Sequence, residues 1–109
     1  MKSKSLTFEE LRVKNQTRCE IIYHPVDEWS ETDWSCALSG ETGELANFIK
    51  KRRRKDFKTK AHVGSIKKEI GDVCAYLDLL ATKFGLRLED CIRDKFNEVS
   101  EKAGCEIKL

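Results

Sequence analysis

The chain of 109 residues contains a single proline, Pro25, and lacks any apolar run near the roughly 20 residues that span a bilayer. Its opening, MKSKSLTFEE, has no apolar stretch typical of a signal peptide. Scarce proline and a charged fraction of 37% favour helices over a sheet. We therefore expect one cytoplasmic domain over residues 1–109, with no membrane segment.

Paired cysteines are missing as well. The five cysteines are scattered without a CxxC pair, and neither histidine lies within a few residues of a cysteine. An odd number of cysteines without an export signal is typical of reduced thiols that act as small apolar side chains. The sequence thus argues against a disulfide framework and against a zinc site.

Charge is unevenly distributed along the chain. Residues 50–60, KKRRRKDFKTK, hold eight basic side chains and one acidic one, whereas the rest of the chain holds 13 basic and 18 acidic ones. We call residues 50–60 the basic segment and expect it to be a loop. Such a cluster binds phosphates in a salt-sensitive way. Three interpretations stay open: a loop that attracts a polyanionic substrate, a plain solvated loop, and a nucleic-acid site, although only Phe57 interrupts the charges.

Helix start and stop signals divide the chain into four helices. Thr7 and Glu10 have the spacing of a capping box, and Ser30 and Asp33 mark a second start. Gly85 is a natural C-terminal cap. The predicted helices run from after Thr7 to about Cys19, from about Glu31 to Arg53, from about His62 to Phe84 and from about Leu88 to Ala103.

Apolar residues recur at helical spacing in the last three of these helices. In the third, the apolar positions alternate at intervals of four and three, at Ile66, Ile70, Val73, Leu77, Leu80 and Phe84. Amphipathic helices of this length joined by short turns predict an all-α fold, an antiparallel bundle of about four helices. The two long helices expose more apolar surface than one small chain covers, so we expect a homo-oligomer, either a dimer or a tetramer.

Four acidic residues project towards these apolar faces. At 100° per residue, Glu41 lies on the side of Leu45, and Glu44 lies at the edge of the same stripe. Glu69 lies between two apolar residues of the third helix, with Asp72 beside it. Each pair is spaced i, i+3, so its members point the same way. Carboxylates are costly to bury without partners, so a cation is expected between them.

A hard divalent cation suits a site made only of carboxylates, which favours Mg²⁺ or Mn²⁺ over zinc or iron. Gly40, Gly43 and Gly71 each adjoin an acidic residue. We interpret them as positions that let a neighbouring helix or a phosphate approach closely. The alternative is that both acidic pairs simply solvate exposed helix faces, as ExxE and ExxD pairs usually do.

The stretches GETGELANFIKK, KKEIGDVCAYLDLLA and KFNEVSEK also resemble the MazG-like family of all-α nucleoside triphosphate pyrophosphohydrolases. The family signature is ExxE, a spacer and then ExxD; here these are Glu41 to Glu44, a spacer of 24 residues and Glu69 to Asp72. The resemblance extends from about residue 34 to residue 104. It implies cleavage of an NTP or dNTP into the nucleoside monophosphate and pyrophosphate.

The resemblance also implies roles for individual residues. Glu41, Glu44, Glu69 and Asp72 would be the Mg²⁺ ligands, and Glu41 would in addition accept a proton from the attacking water. We expect Lys95 to reach the phosphates, and the alternative is that its ammonium extends into solvent. Asn97, on the opposite face of its helix, is a weaker candidate for contact with the substrate.

Several further residues have two interpretations. Lys51 lies two turns after Glu44, where it would meet a phosphate or a base, or else be solvated in the basic segment. Trp34 would stack on a nucleobase or pack in the core. His24 and Trp29 precede the second helix and would fold over a pocket. Tyr76 would either form part of the wall of that pocket or be a packing residue. Two competing functions stay open: a non-catalytic module that binds a nucleotide or nucleic acid through the basic segment, and a purely structural helical dimer.

Overall fold

The computed structural model describes residues 4–54 and 63–109, and over these ranges the chain is an all-α helical bundle. It consists of four α-helices and a short 3-10 turn, Val26–Glu28. The helices are α1 (Phe8–Ile22), α2 (Glu31–Arg54), α3 (Val63–Lys83) and α4 (Leu88–Ala103). The first residues of the basic segment, 50–54, are the last residues of α2 rather than a loop, and residues 55–60 lie outside the described ranges.

The first helix begins where the sequence predicts but ends three residues later. The Glu10 amide donates to Thr7 Oγ1 at 3.0 Å, which is one half of a capping box. The Glu10 carboxylate pairs with Lys4 and Lys14 instead of returning to the cap. The helix continues past Cys19 to Ile22 because no residue that breaks a helix occurs before Pro25.

Local signals account for the other helix ends. The Ser30 amide donates to Asp33 Oδ2 at 2.9 Å, and the Asp33 amide donates to Ser30 Oγ at 3.1 Å, so a reciprocal capping box is present at the predicted start of α2. Gly85 and Gly104 have φ values of 71° and 68°, the left-handed conformation in which helices commonly end.

The third helix is central, because it contacts α1, α2, α4 and the 3-10 turn, and its pairing with α2 is the most extensive. The core consists of Cys19, Val26, Trp34 and Leu79. Trp34 is only 2% exposed, and its indole N–H donates to the Val26 carbonyl at 3.0 Å. The segment before α2 is thereby fixed against α2 and α3.

The side of α3 that packs inward differs from the prediction. Leu79 and Asp78 are buried, whereas Ile70, Leu77 and Phe84 of the predicted stripe are 48%, 37% and 52% exposed. The core-facing side of α3 is therefore defined by its contacts with α1 and α2 and not by its most regular apolar repeat. None of the described helices is both long enough and apolar enough to cross a membrane.

Candidate metal centre and adjoining cavity

Three of the four predicted acidic ligands meet between α2 and α3. Glu41 comes from α2, and Glu69 and Asp72 come from adjacent turns of α3. One carboxylate oxygen from each lies within 4.8 Å of the other two. The i, i+3 spacing places Glu69 and Asp72 side by side, and the extensive pairing of the two helices brings Glu41 opposite them.

Two of these carboxylates carry an oxygen that nothing in the described chain satisfies. Glu41 Oε2 and Glu69 Oε2 are buried and have no hydrogen-bond partner among the residues of 4–54 and 63–109. Leaving a buried charged oxygen unpaired costs more than leaving a neutral one. The arrangement is therefore incomplete in electrostatic terms unless a positive group joins it.

The pKa values of these two carboxyls also indicate that a positive group is missing. Burial raises the pKa of the Glu41 carboxyl, and neighbouring carboxylates, Glu44 first, raise it further. Burial likewise raises the pKa of the Glu69 carboxyl, with repulsion from Glu44 and Asp72 as the next causes. Glu44 is itself exposed, so it adjoins the cluster from the solvent side.

The donor set fits a hard divalent cation. The grouped residues Glu41, Glu69 and Asp72 offer only carboxylate oxygens, without nitrogen or sulfur. Mg²⁺ and Mn²⁺ prefer such ligands, and Mg²⁺ usually binds through a few carboxylates while keeping several waters. The two unpaired buried oxygens distinguish this cluster from acidic groups on a helix surface, which water satisfies.

A cavity of about 370 Å³ adjoins the cluster, a size suited to a small-molecule ligand. Glu41 and Asp72 form part of its wall. The rest of the wall comes from α1, from the segment before α2, from Trp34 of α2 and from the core side of α3. The lining residues are Asn15, Arg18, Cys19, Tyr23, His24, Trp29, Trp34, Glu41, Asp72, Ala75, Tyr76 and Leu79.

Aromatic rings form one side of this cavity. The ring centroids of His24 and Trp29 lie 4.5 Å apart, and those of Trp29 and Trp34 lie 4.6 Å apart. Tyr76, one turn after Asp72, is 6.3 Å from the Trp34 ring. Rings at these separations pack against one another and present a flat apolar wall to a ligand.

The predicted substrate residues lie in different places. Trp34 lines the cavity from within the core and keeps 2% of its surface exposed. Lys51 is half-buried on α2, two turns after Glu44, and is not part of the cavity wall. Lys95 is exposed and pairs with Glu98 of its own helix at 3.4 Å.

Asn97 binds the end of the chain. Its Nδ2 donates to the Leu109 carbonyl at 3.1 Å, and its Oδ1 accepts from the Leu109 amide at 2.8 Å. Both polar groups of this side chain are thus used in holding the C-terminal residues against α4. We therefore give Asn97 a structural role and leave it out of the site.

The glycines beside the acidic residues do not serve close packing of helices. At Gly40, Gly43 and Gly71, no heavy atom beyond the local backbone lies within 4 Å of the position that a Cβ would take. The prediction that they admit a neighbouring helix is therefore wrong for the described part of the chain. Their use in admitting a phosphate stays a prediction.

Sequence reasoning missed the contribution of α1 to the cavity. Asn15, Arg18 and Cys19 of α1 line it, and Asn15 is buried although it is polar. The available signal was the spacing of Asn15 four residues before Cys19, which places an amide in the buried row of α1. Comparison of the chain with known protein families, curated proteins and solved structures finds no match.

Proposed function

We propose that this protein is a Mg²⁺-dependent nucleotide pyrophosphohydrolase that cleaves an NTP or dNTP between the α and β phosphates. The observation that carries the proposal is the meeting of Glu41, Glu69 and Asp72 oxygens within 4.8 Å beside an aromatic cavity of about 370 Å³. The resemblance of the ExxE and ExxD stretches to the MazG-like family supports the same reaction.

In this proposal the acidic cluster binds the metal and the cavity binds the nucleoside. Glu41, Glu69 and Asp72 are the inner ligands, and Glu44 adds negative charge from the solvent side. Bound Mg²⁺, with Mn²⁺ as a substitute, would offset the charge of the triphosphate and lower the pKa of an attacking water. Such a water has to lie on the cavity side of the cluster, where Glu41 and Asp72 are accessible.

Glu41 is the proposed general base. It lies at the boundary between the cluster and the cavity, and its Oε2 has no hydrogen-bond partner in the described chain. Burial raises the pKa of this carboxyl, which makes the carboxylate a stronger base towards water than an exposed glutamate. Glu41 would therefore take the proton as the water oxygen attacks phosphorus.

Lysines supply the positive charge for the phosphates that leave. Lys51 is on the same side of α2 as Glu44, and Lys95 has an exposed side chain whose weak surface pair with Glu98 is readily exchanged. Trp34 contributes through the core, because it supports the rings of Trp29 and Tyr76 against which a base would lie. The basic segment would attract the polyanionic substrate.

Two further features belong to the proposal. Exposed apolar side chains, such as Phe84 directly after α3 and Phe96 of α4, support assembly into a homo-oligomer. The five cysteines, which all lie in the described ranges, are free thiols, as is usual in a reducing compartment such as the cytoplasm.

The test is to incubate the purified protein with a panel of NTPs and dNTPs in the presence of Mg²⁺ and to measure pyrophosphate and monophosphate. We expect turnover of at least one nucleotide by the wild type and a loss of at least about 100-fold in Glu69→Gln, because one ligand charge is removed. Exposed Glu31→Gln is the matched control and should retain activity.

A stability measurement accompanies this assay. In EDTA, Glu69→Gln should melt at a higher temperature than the wild type, because the substitution removes a repelled carboxylate. Mg²⁺ should raise the melting temperature of the wild type but not of the variant. No turnover of any nucleotide, or oligonucleotide affinity that falls with salt and survives Glu69→Gln, would instead favour a non-catalytic binding module.

A further inference from the structure

Asn15 is the one polar side chain of α1 that is more than nine-tenths buried within the described residues, with 4% of its surface exposed. Its Nδ2 donates to the Ala75 carbonyl and to Asp78 Oδ2, each at 2.9 Å. An amide nitrogen has two hydrogens, so both are used. Because both neighbours are acceptors, the amide orientation is fixed by chemistry, and the oxygen of Asn15 must be the remaining free group.

That oxygen has no partner among the residues that the structure describes. Asn15 Oδ1 accepts no hydrogen bond within residues 4–54 and 63–109, and it is not among their fully enclosed unpaired atoms. Asn15 lines the cavity described above. A fixed acceptor at the wall of a cavity is suited to a ligand with a hydrogen-bond donor.

The position of Asn15 fits the base end of a nucleotide. Ala75 and Asp78, which hold it, follow Asp72 by three and six residues, which corresponds to about 4.5 and 9 Å along the axis of α3. A nucleotide with its phosphates at the acidic cluster would extend its sugar and base in this direction, past Tyr76. The aromatic wall is part of the same cavity and would receive the flat face of the base.

We propose that Asn15 selects nucleotides whose base carries an amino group at C4 of a pyrimidine or at C6 of a purine, that is, cytosine or adenine. This inference rests on the proposed function for its choice of ligand class. Cytosine and adenine present an N–H donor where uracil and thymine present a carbonyl oxygen. A carbonyl oxygen there would face Asn15 Oδ1, and Asn15 has no hydrogen left with which to turn and donate.

The surroundings of Asn15 strengthen this preference. Its amide donates to the Asp78 carboxyl, which is 1% exposed, and donation to an acidic group polarises the amide and makes its oxygen a better acceptor. Arg18 also lines the cavity, but it is exposed. Water already accepts its hydrogen bonds, so Arg18 does not require an acceptor on the ligand. Asp78 thus acts as a positioning residue for Asn15.

The experiment measures binding of nucleoside monophosphates to the wild-type protein by calorimetry in Mg²⁺, which offsets the repulsion between the phosphate and the carboxylates of the cluster. A monophosphate has no anhydride bond to cleave, so turnover does not contribute. dCMP and dAMP are compared with dUMP and with the pyrimidinone analogue of dCMP that lacks the amino group. We expect dCMP to bind about tenfold or more tightly than either of the other two pyrimidine nucleotides. Equal or tighter binding of dUMP, or no measurable binding of any of the four, would overturn the proposal.

Variants locate the preference at Asn15. Asn15→Leu should bind dCMP and dUMP equally, but it leaves Asp78 buried without its donor and risks unfolding. The double variant Asn15→Leu, Asp78→Leu removes both polar partners and should fold while also losing the preference. Exposed Asn47→Ala is the matched control and should keep the preference for dCMP. A double variant that folds and still prefers dCMP would refute the role of Asn15.

This outcome is separate from that of the pyrophosphohydrolase test. If dCMP is preferred but no triphosphate is hydrolysed, the selectivity of Asn15 stands and the proposed reaction fails. If triphosphates are hydrolysed at equal rates whatever the base, and dCMP and dUMP bind alike, the reaction stands and the selectivity fails.

Discussion

The pKa values of two glutamates are shifted in opposite directions by the residues around them. Glu69 lies among carboxylates, and burial and repulsion raise its pKa. Glu89 accepts a hydrogen bond from the Arg12 guanidinium at 2.6 Å, and this contact is the largest cause of a lowered pKa. Glu69 therefore opposes folding when it is ionised and unpartnered, whereas ionised Glu89 favours folding because it joins α4 to α1.

The pair of Arg12 and Glu89 leads to a prediction about pH. Since the pKa of Glu89 is lower in the folded than in the unfolded chain, its contribution to stability is present above the unfolded pKa of about 4.5. That contribution is lost as the pH falls through the folded pKa. Glu89→Gln should therefore lower the urea midpoint at pH 7, and the difference from the wild type should shrink progressively below about pH 4.5.

Glu101→Gln is the control for this measurement. Glu101 pairs with Lys108 at 3.2 Å, but its side chain is 80% exposed, so the pair contributes little. Equal urea midpoints of Glu89→Gln and the wild type at neutral pH would mean that the contact between α1 and α4 does not stabilise the fold. A difference that persists at low pH would mean that packing, and not charge, is its origin.

Among the helices, α2 shows the clearest conflict between helix propensity and sequence, because it has two glycines in its interior. Gly40 and Gly43 lie inside a helix of 24 residues, where glycine is less favourable than alanine by about 1 kcal/mol. Within residues 4–54 and 63–109, no neighbouring element approaches either position closely. Helix packing in the described part of the chain therefore does not explain these glycines. The proposed function offers an explanation, because glycine leaves space for a ligand.

Alanine at these positions separates stability from function. We expect Gly40→Ala and Gly43→Ala each to raise the free energy of unfolding by roughly 0.5–1 kcal/mol, because the added methyl group meets open space and the unfolded chain loses entropy. Chemical denaturation measures this change. If the glycines admit a phosphate, kcat/KM should fall in the same variants although their stability rises.

Gly104→Ala, at the C-terminal cap of α4, is the contrasting control for the two α2 substitutions. Its φ of 68° is unfavourable for a residue with a side chain, so this substitution should destabilise the protein. A loss of stability in Gly40→Ala or Gly43→Ala would show that the helix is packed more closely at these positions than the structure indicates. Gains in stability with unchanged kcat/KM would remove the phosphate interpretation.

At the scale of the whole molecule, a large apolar surface is left open. On α4, Ile92, Phe96 and Val99 are 40%, 41% and 54% exposed although they form the apolar face of that helix. Leu88, which lies one turn before Ile92 on the same face, is buried. Exposed apolar rows of this kind are typical of surfaces that pack against another chain.

We expect the protein to sediment as a dimer or tetramer, and the double substitution Ile92→Glu, Phe96→Glu to make it a monomer. Two charges would have to be desolvated in an interface, and stable interfaces generally bury roughly 1,200–2,000 Å². Analytical ultracentrifugation measures the mass. Val13→Glu, which changes an apolar residue of α1 that is 56% exposed, is the control and should leave the mass unchanged. A monomeric wild type at high concentration would contradict the prediction.

What the sequence by itself determined is mostly local. The start of α1 at Thr7, the reciprocal cap of Ser30 and Asp33, and the ends at Gly85 and Gly104 could all be predicted, because each depends on residues within one helical turn. The pairing of Glu69 with Asp72 on one face is local for the same reason. The all-α class followed from the apolar repeats of the helices.

Only the tertiary structure decided which faces meet. Asn15 and Asp78 are 63 residues apart, and their hydrogen bond depends on the way α1 crosses α3. The inward turn of Leu79 in place of the regular apolar row depends on the same packing. A helical repeat specifies a face but not its partner, because the free energy of packing is a sum over contacts between distant segments. The cavity between α1, α2 and α3 therefore could not be predicted from any one of them.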